Sequence, residues 1–397
     1  MRPGLISLAA GFTDNPSLPV SITREIMADM LRTGKIGQPA LQYGTTAGDD
    51  TLRTLTARRL AKADGQSTKA KAYTPGRMMI THGSQQFLYI LTEILFDAGD
   101  IVLVEDPSYF VYLGIMQSHG IRGRGIRMET DGIDLAHLEA TLEALKKSGD
   151  LSRLKALYLV SYHSNPTGTT TAAEKKAAAL KLLRRYEKAA GHPIYLLEDA
   201  AYRELRYAGE DIPSALTFDR DASRVIYTST YSKPYATGVR VGFGLLPGPL
   251  LTAALRVKGN HDFGTTNFLQ QLISRALSTG AYETHVQTLR QRYAKKAAAM
   301  VRACREHLPE GVEWTEPTGG LYVWARMPAR VKTDLKSKLF ASALKQKMIY
   351  VPGNLCYADD PTRRKPNREM RLSFGSGSIP NIKEGIARLG RALKKVC

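Results

Sequence analysis

The sequence predicts an α/β fold: a large unit built on a seven-stranded, mainly parallel sheet, followed by a smaller α+β unit. Three observations carry this. Short apolar runs alternate with helical patterns through the middle of the chain, as in βαβ units. Several runs, such as Ile101 to Val104 and Ala156 to Val160, are apolar at every position, which suits strands buried on both faces. After residue 283 the alternation gives way to one long Ala-, Arg- and Lys-rich helical stretch and then isolated strands and helices.

Strands are expected at 77–81, 101–105, 121–127, 155–161, 194–198, 224–228 and 239–245. After the first, Phe87, Leu88, Ile90, Leu91, Ile94 and Leu95 recur at helical spacing, and Gly99 supplies the stop. The tail reads as a helix at 283–307, a strand at 320–327 and a helix near 333–347. Strands at 348–351 and 369–374 and a helix at 380–395 complete it. The N-terminal arm is assigned to the smaller unit, because a short arm is ordered only where it docks. The division is therefore 31–280 for the large unit, and 1–30 with 281–397 for the smaller.

A chain of 397 residues with 43% hydrophobic content is long enough for a sizeable core. Its three cysteines, Cys304, Cys356 and Cys397, are far apart and odd in number. That argues against a disulfide framework or a metal site and predicts a reducing, cytoplasmic setting. The apolar runs are too short to span a bilayer, and the first residues lack the apolar core of a signal peptide. The net charge of +19 is unusual. Its basic residues are spread along helical patterns, with one dense cluster at Arg363, Arg364 and Lys365. No aromatic-interleaved basic stretch accompanies them. The charge is read as a solvated surface with small anionic ligands, not as a nucleic-acid interface.

The chemistry-bearing residues stand at strand ends. Ser84 and Gln85 follow a Gly at a helix start, where free N–H groups and the helix dipole favour a phosphate. Tyr109 lies just past strand 101–105, placed to stack on a flat ring. Asn165 precedes a proline, which holds it out of the helical region and lets its amide face a ligand. Asp199 ends the apolar run from Ile194 and would be costly to bury unpaired; Tyr202 follows three residues on. Lys233 lies in Ser-Thr-Tyr-Ser-Lys-Pro-Tyr-Ala-Thr-Gly-Val-Arg, a polar turn and not a helical face. Arg240 nearby would lower the pKa of that lysine and, with Ser232, hold a phosphate. Arg371 lies on an apolar strand, where a guanidinium can clamp a carboxylate. Taken singly, each has an ordinary explanation as a cap, a turn, a core tyrosine or an ion pair. Together, an amine, a carboxylate and an amide at strand ends are the parts of a pyridoxal 5′-phosphate (PLP) site.

In this order the pieces resemble the PLP-dependent aminotransferases of fold type I, class I/II. The likeness runs from Gly4-Leu5-Ile6-Ser7 through Leu41-Gln42-Tyr43-Gly44, Gly83-Ser84-Gln85-Gln86, Asn165-Pro166-Thr167-Gly168 and Tyr231-Ser232-Lys233 to Arg371-Leu372-Ser373. Ala40-Leu41-Gln42-Tyr43-Gly44, Glu198-Asp199-Ala200-Ala201-Tyr202 and Gly319-Gly320-Leu321-Tyr322-Val323-Trp324 are similar to the 2-aminoadipate/kynurenine/aromatic branch, which is related to the C-terminal half of MocR-type regulators.

The resemblance implies roles. Lys233 would form the imine with PLP, and Asp199 would pair with the pyridine nitrogen. Asn165 and Tyr202 would bond O3′, and Tyr109 would stack on the ring. Ser84, Gln85, Ser232 and Arg240 would hold the phosphate, with Tyr43 reaching the phosphate of a second subunit in a homodimer. Arg371 and Asn165 would hold the substrate α-carboxylate near Gly11. The chain also departs from the pattern. Thr230 stands where serine is common, and Pro234 and Tyr235 follow the lysine. The branch's extra N-terminal helix, which helps select side chains, is expected to be missing, leaving a more open pocket.

The implied activity is transfer of an amino group from an L-amino acid to a 2-oxo acid by ping-pong kinetics. The same site also suits an oxidase, cyclase or lyase acting on an amino acid. A PLP-sensing regulatory domain is the reading of another class.

Overall fold

The computed structural model describes residues 3–396; Met1, Arg2 and Cys397 lie outside them. The main sheet has the strand order Met78–Thr81, Gly242–Leu245, Val225–Thr230, Tyr195–Asp199, Leu154–Val160, Ile101–Asp106, Arg122–Glu129, Gly132–Ile133. The five strands from Val225–Thr230 to Arg122–Glu129 are mutually parallel. Gly242–Leu245 runs antiparallel to both of its neighbours. The sheet thus gains one strand over the seven expected. Gly132–Ile133 pairs antiparallel with Met128 and Glu129 and is too short to leave a periodic signal.

Alternation along the strands divides the core. Ile101, Leu103, Leu157, Leu159 and Leu196 enter the packing on one face. Val102, Val104, Ala156, Tyr158, Val160 and Leu197 enter that on the other. Both sets are almost fully buried, which is why the runs read as apolar throughout.

One expected strand starts late. Residues 239–241 are not extended: Thr237–Val239 forms a 3₁₀ turn and Arg240 takes a left-handed φ of 49°. The turn brings the guanidinium back over Ser232 and the carbonyl of His82, so the strand begins only at Gly242.

The smaller sheet is antiparallel, ordered Glu313–Trp314, Tyr322–Arg326, Glu369–Ser373, Val351–Pro352. Helices Ala281–His307 and Ile379–Leu393 pack together over its own core, which includes Tyr293, Met300, Val323, Leu372 and Ile386. The helix expected near 333–347 is confined to Lys338–Lys345. Ser337 caps it by accepting from the Phe340 amide, while Thr333 turns away to donate to the carbonyls of Asn367 and Glu369.

The N-terminal segment divides between the two cores. Ile6–Ser7 pairs in parallel with Met348–Ile349, and Leu8 joins the smaller core. Val20–Met30 packs instead on Asn267–Ser278, with Ile26 and Met30 in the larger core. Between them, Asp14 is bound by Arg292 and by Lys296, each at 2.7 Å. That anchor fixes the backbone around Gly11.

A buried ion pair, Lys176 with Glu198 at 2.9 Å, joins helix Ala173–Ala190 to strand Tyr195–Asp199 next to Asp199. Lys176 also donates to the Pro213 carbonyl, and Glu198 accepts from the Ala215 amide. Removing one partner strands the other charge. Lys176→Met is expected to lower unfolding stability by about 3–5 kcal/mol, measured by chemical denaturation. A loss under about 1 kcal/mol would mean that Glu198 is compensated by the amide alone.

Candidate active site

Parallel strands deliver their side chains to one edge, the carboxyl end, and there the sequence-predicted residues converge. A cavity of about 150 Å³ is lined by Ser84, Gln85, Tyr109, Asn165, Asp199, Tyr202, Ser232, Lys233 and Arg240. Val160, Ala201, Thr230 and Thr237 complete its wall. Tyr109 follows strand Ile101–Asp106, and Asn165 follows Leu154–Val160. Asp199 is the last residue of its strand, and Ser232 and Lys233 follow Val225–Thr230.

Asp199 forms the floor. It is fully enclosed and has no cationic partner among the described residues. One carboxylate oxygen accepts from the Tyr158 hydroxyl at 3.0 Å, the other from the Ala201 amide at 3.1 Å. Burial pushes its pKa up to about 6, against those two hydrogen bonds. Sequence reasoning missed Tyr158. Its signal was a lone hydroxyl in the aliphatic run Ala156-Leu157-Tyr158-Leu159-Val160, where a buried O–H needs an acceptor.

At one end, Ser84 and Gln85 open helix Gly83–Leu95, where the first-turn N–H groups have no intrahelical partner. Gly242 passes so close that a Cβ there would lie 2.6 Å from the Ser84 nitrogen. Arg240 Nη1 donates to Ser232 Oγ at 3.2 Å, and Nη2 to the His82 carbonyl at 3.2 Å. This cluster of N–H donors, a hydroxyl and a guanidinium fits a phosphate group. Thr230 accepts from the Ser232 amide at 3.0 Å and donates to the Val241 carbonyl, holding the turn. Tyr235 is accommodated because it points away from the cavity. It is buried between Tyr282 and Thr23, whose hydroxyl it meets at 2.9 Å.

Behind Asn165, and not itself lining the cavity, Arg371 projects from strand Glu369–Ser373 and is 3% exposed. Nη1 donates to Asn165 Oδ1 at 2.7 Å and Nη2 to the Ala9 carbonyl at 2.6 Å. It forms no ion pair with any described carboxylate, and its Nε is unpartnered. Because Oδ1 of Asn165 is taken, the amide NH₂ is left to face the cavity. Lys233 Nζ donates to the Gly11 carbonyl at 2.9 Å, which brings the N-terminal arm to the lysine. Tyr322, to which sequence reasoning gave no role, bonds Tyr202 hydroxyl to hydroxyl at 2.9 Å and lies 4.4 Å beneath the Arg371 guanidinium.

Tyr43 is not brought to this cavity. It is 81% exposed, edge-on to Phe263 in a separate surface hollow.

A sheet of this kind, with a lysine, a floor carboxylate and a phosphate cradle at its carboxyl end, defines a PLP enzyme of fold type I. The chain belongs to the family of class I and II aminotransferases, whose model matches residues 3–389. It is 32% identical over 393 residues to aromatic-amino-acid aminotransferase 1 of Thermococcus litoralis, covering 98% of this chain and 88% of that one. It is 31% identical to the 2-aminoadipate transaminase of Thermus thermophilus, covering 99% and 91%. The kynurenine aminotransferase structure from Pyrococcus horikoshii superposes with a TM-score of 0.90 at 31% identity, covering 100% and 92%. The protein is a PLP-dependent aminotransferase, moving an amino group from an amino acid to a 2-oxo acid.

The floor carboxylate gives a sign-definite prediction. With its folded pKa raised from about 3.8 to about 6, Asp199 penalises the cofactor-free fold when ionised, by about 3 kcal/mol. The penalty is present in full above about pH 6 and vanishes below about pH 4. Cofactor-free Asp199→Asn is therefore expected to be more stable than the parent at pH 7.5, with the gap closing as pH falls to 4.5. Parallel thermal melts check it; a gap independent of pH would refute the uncompensated carboxylate.

Proposed function

We propose that the convergent residues act in transamination as follows. Asp199 accepts the ring N–H of the cofactor and keeps that nitrogen protonated. Asn165, through its free NH₂, and Tyr202, through its hydroxyl, donate to the ring oxygen. Tyr109 covers one ring face. The Ser84 and Gln85 end of the helix, Ser232 and Arg240 hold the phosphate. When bound, PLP supplies an electrophilic carbon for the amino group and a ring that withdraws electrons from the substrate α-carbon. Lys233 carries the proton: it takes it from the substrate α-carbon and returns it on the cofactor side. Arg371 grips the α-carboxylate, with Asn165 fixing the fork in plane.

The observation that carries this reading is the pair of uncompensated buried charges. Arg371 lacks an acidic partner and Asp199 lacks a basic one. Each is costly as it stands. A substrate carboxylate and a ring N–H supply the two missing partners.

Phe110 and Tyr322 flank the Arg371 guanidinium at 5.3 and 4.4 Å. Those walls support a donor with an apolar or aromatic side chain, the class named for the Thermococcus litoralis relative.

The assembly we propose is a homodimer in the cytoplasm. Leu41, Tyr43 and Phe263 lie together and exposed around one surface hollow, an apolar patch that a second copy would cover. In that dimer Tyr43 reaches the phosphate end of the neighbouring site. No helix among the described residues is long and apolar enough to cross a membrane.

The test is the visible spectrum of the cofactor-loaded protein with a panel of amino acids and no 2-oxo acid. Bleaching to the pyridoxamine form is expected with at least one donor class, and a 2-oxo acid should restore the band. A band that persists, or that changes only with oxygen uptake, would replace transamination with the lyase or oxidase chemistry. Lys233→Ala should lose turnover by at least about 10⁴-fold in steady-state assays. Near-parental turnover would remove Lys233 from its role.

A further inference from the structure

Tyr202 has one phenolic proton and two lone pairs. Its hydroxyl lies 2.9 Å from the hydroxyl of Tyr322, a residue of the smaller sheet 120 positions away. Both side chains are almost fully buried. The rings meet edge to face, with centroids 5.6 Å apart. The Tyr322 hydroxyl makes no other hydrogen bond among the described residues. Its hydroxyl sits where the backbone of Gly11 passes, since a Cβ at Gly11 would lie 2.5 Å from it. Geometry alone leaves the direction of the Tyr202–Tyr322 bond open.

Proton counting closes it once Tyr202 donates to the cofactor. Its only proton is then committed to the ring oxygen O3′. The bond to Tyr322 can persist only with Tyr322 as donor and Tyr202 as acceptor. Burial pushes the Tyr202 pKa well up, so it remains a donor. A phenol that accepts one hydrogen bond donates a stronger one, because each bond polarises the next.

Resting on the donor role assigned to Tyr202 above, we propose that Tyr322 is a positioning residue. It donates to Tyr202, fixes the direction of that bond and strengthens the donation of Tyr202 to O3′. The relay runs from the smaller unit into the cofactor site, Tyr322 to Tyr202 to O3′. The consequence is electronic as well as steric. With PLP held through the Lys233 nitrogen, a proton would be shared between that nitrogen and O3′. Whatever stabilises negative charge on O3′ lets that proton leave at a lower pH. Tyr322 therefore lowers the pH at which the visible band of the bound cofactor changes.

The same hydroxyl–hydroxyl contact also explains a close packing choice. Tyr322 carries the Arg371 guanidinium on its face, 4.4 Å from the ring centroid, and presents its hydroxyl edge to Tyr202. One side chain thus supports both the carboxylate clamp and the O3′ donor. The glycine at position 11 leaves its hydroxyl room to do so.

The experiment is a spectrophotometric pH titration of the loaded protein in four forms: parent, Tyr322→Phe, Tyr202→Phe and the double variant. Loss of a polarising bond worth a tenth to a third of a charge-assisted hydrogen bond corresponds to a rise of about 0.2–0.6 pH unit for Tyr322→Phe. Tyr202→Phe should rise further, and adding Tyr322→Phe to it should change nothing more. Equal shifts from Tyr322→Phe in both backgrounds, or none in the parent, would overturn the relay. Both substitutions only delete a hydroxyl, and cofactor stoichiometry and circular dichroism of each form verify folding. Failure of the parent to take up PLP would refute the cofactor reading itself and is seen before any variant is compared.

Discussion

Arg371 leaves the smaller sheet, crosses to the larger unit and donates to Asn165 Oδ1 at 2.7 Å. Much of the site depends on this bond. It orients the Asn165 amide, so that the NH₂ faces the cavity and not the guanidinium. It links a strand of one core to the loop after a strand of the other. The second terminal nitrogen also meets a neutral acceptor, the Ala9 carbonyl, so neither contact neutralises the guanidinium. A carboxylate in that place would have neutralised Arg371 and closed it to ligand. A neutral amide orients it and leaves its charge available.

The same region is stitched together elsewhere by contacts that never enter the cavity. The Ser108 amide donates to the Cys356 carbonyl at 2.7 Å, one residue before Tyr109. Arg363 pairs with Asp106, and Asp360 accepts from the Gly125 amide and lies 3.4 Å from Arg124. The segment carrying these groups leads into the strand of Arg371. Tyr109 and Arg371 are therefore held to a common frame from two directions. On the opposite side, Asp14 ties the arm to the long helix through Arg292 and Lys296, and so fixes the Gly11 carbonyl against Lys233. Rigid support of this kind matters because a reacting group displaced by an ångström loses much of its effect.

The strands of the parallel sheet were legible because burial on both faces leaves an unbroken apolar run, and their ends were legible because polar residues follow abruptly. That is why Asn165, Asp199 and Lys233 could be picked out before any contact was known, and why they meet at one cavity. Local turns were less readable. Val239 to Val241 look like strand by composition, yet Arg240 is bent into a left-handed conformation by the carbonyl and hydroxyl it must reach. Partnerships across long sequence separations left no trace. Tyr322 stood in a recognised string, but its hydroxyl has meaning only beside Tyr202. Arg363 read as part of a dense, solvated basic cluster, and only the folded chain pairs it with Asp106. The short arm likewise had a docking site but no periodicity, so its division between two cores could not be read from its residues.

The placement of the two uncompensated charges follows a simple logic. Asp199 belongs to the larger sheet and Arg371 to the smaller, so neither can neutralise the other without collapse of the cavity between the units. Each penalises the fold when alone, and the apolar sheet bears that cost. In the roles proposed above, a ring N–H cancels one penalty and an amino-acid carboxylate the other. Under the proposed roles the cofactor supplies the first group and the substrate the second, so a substrate without a carboxylate leaves Arg371 buried and unmatched, and binds at a disadvantage. In that reading, selection of a substrate carboxylate comes before any side-chain contact. The walls around Arg371 then have only the side chain left to distinguish, and apolar contacts suffice for that lesser task. On the proposed roles, the fold gives up stability at two residues and gains recognition of the cofactor at one and the substrate at the other.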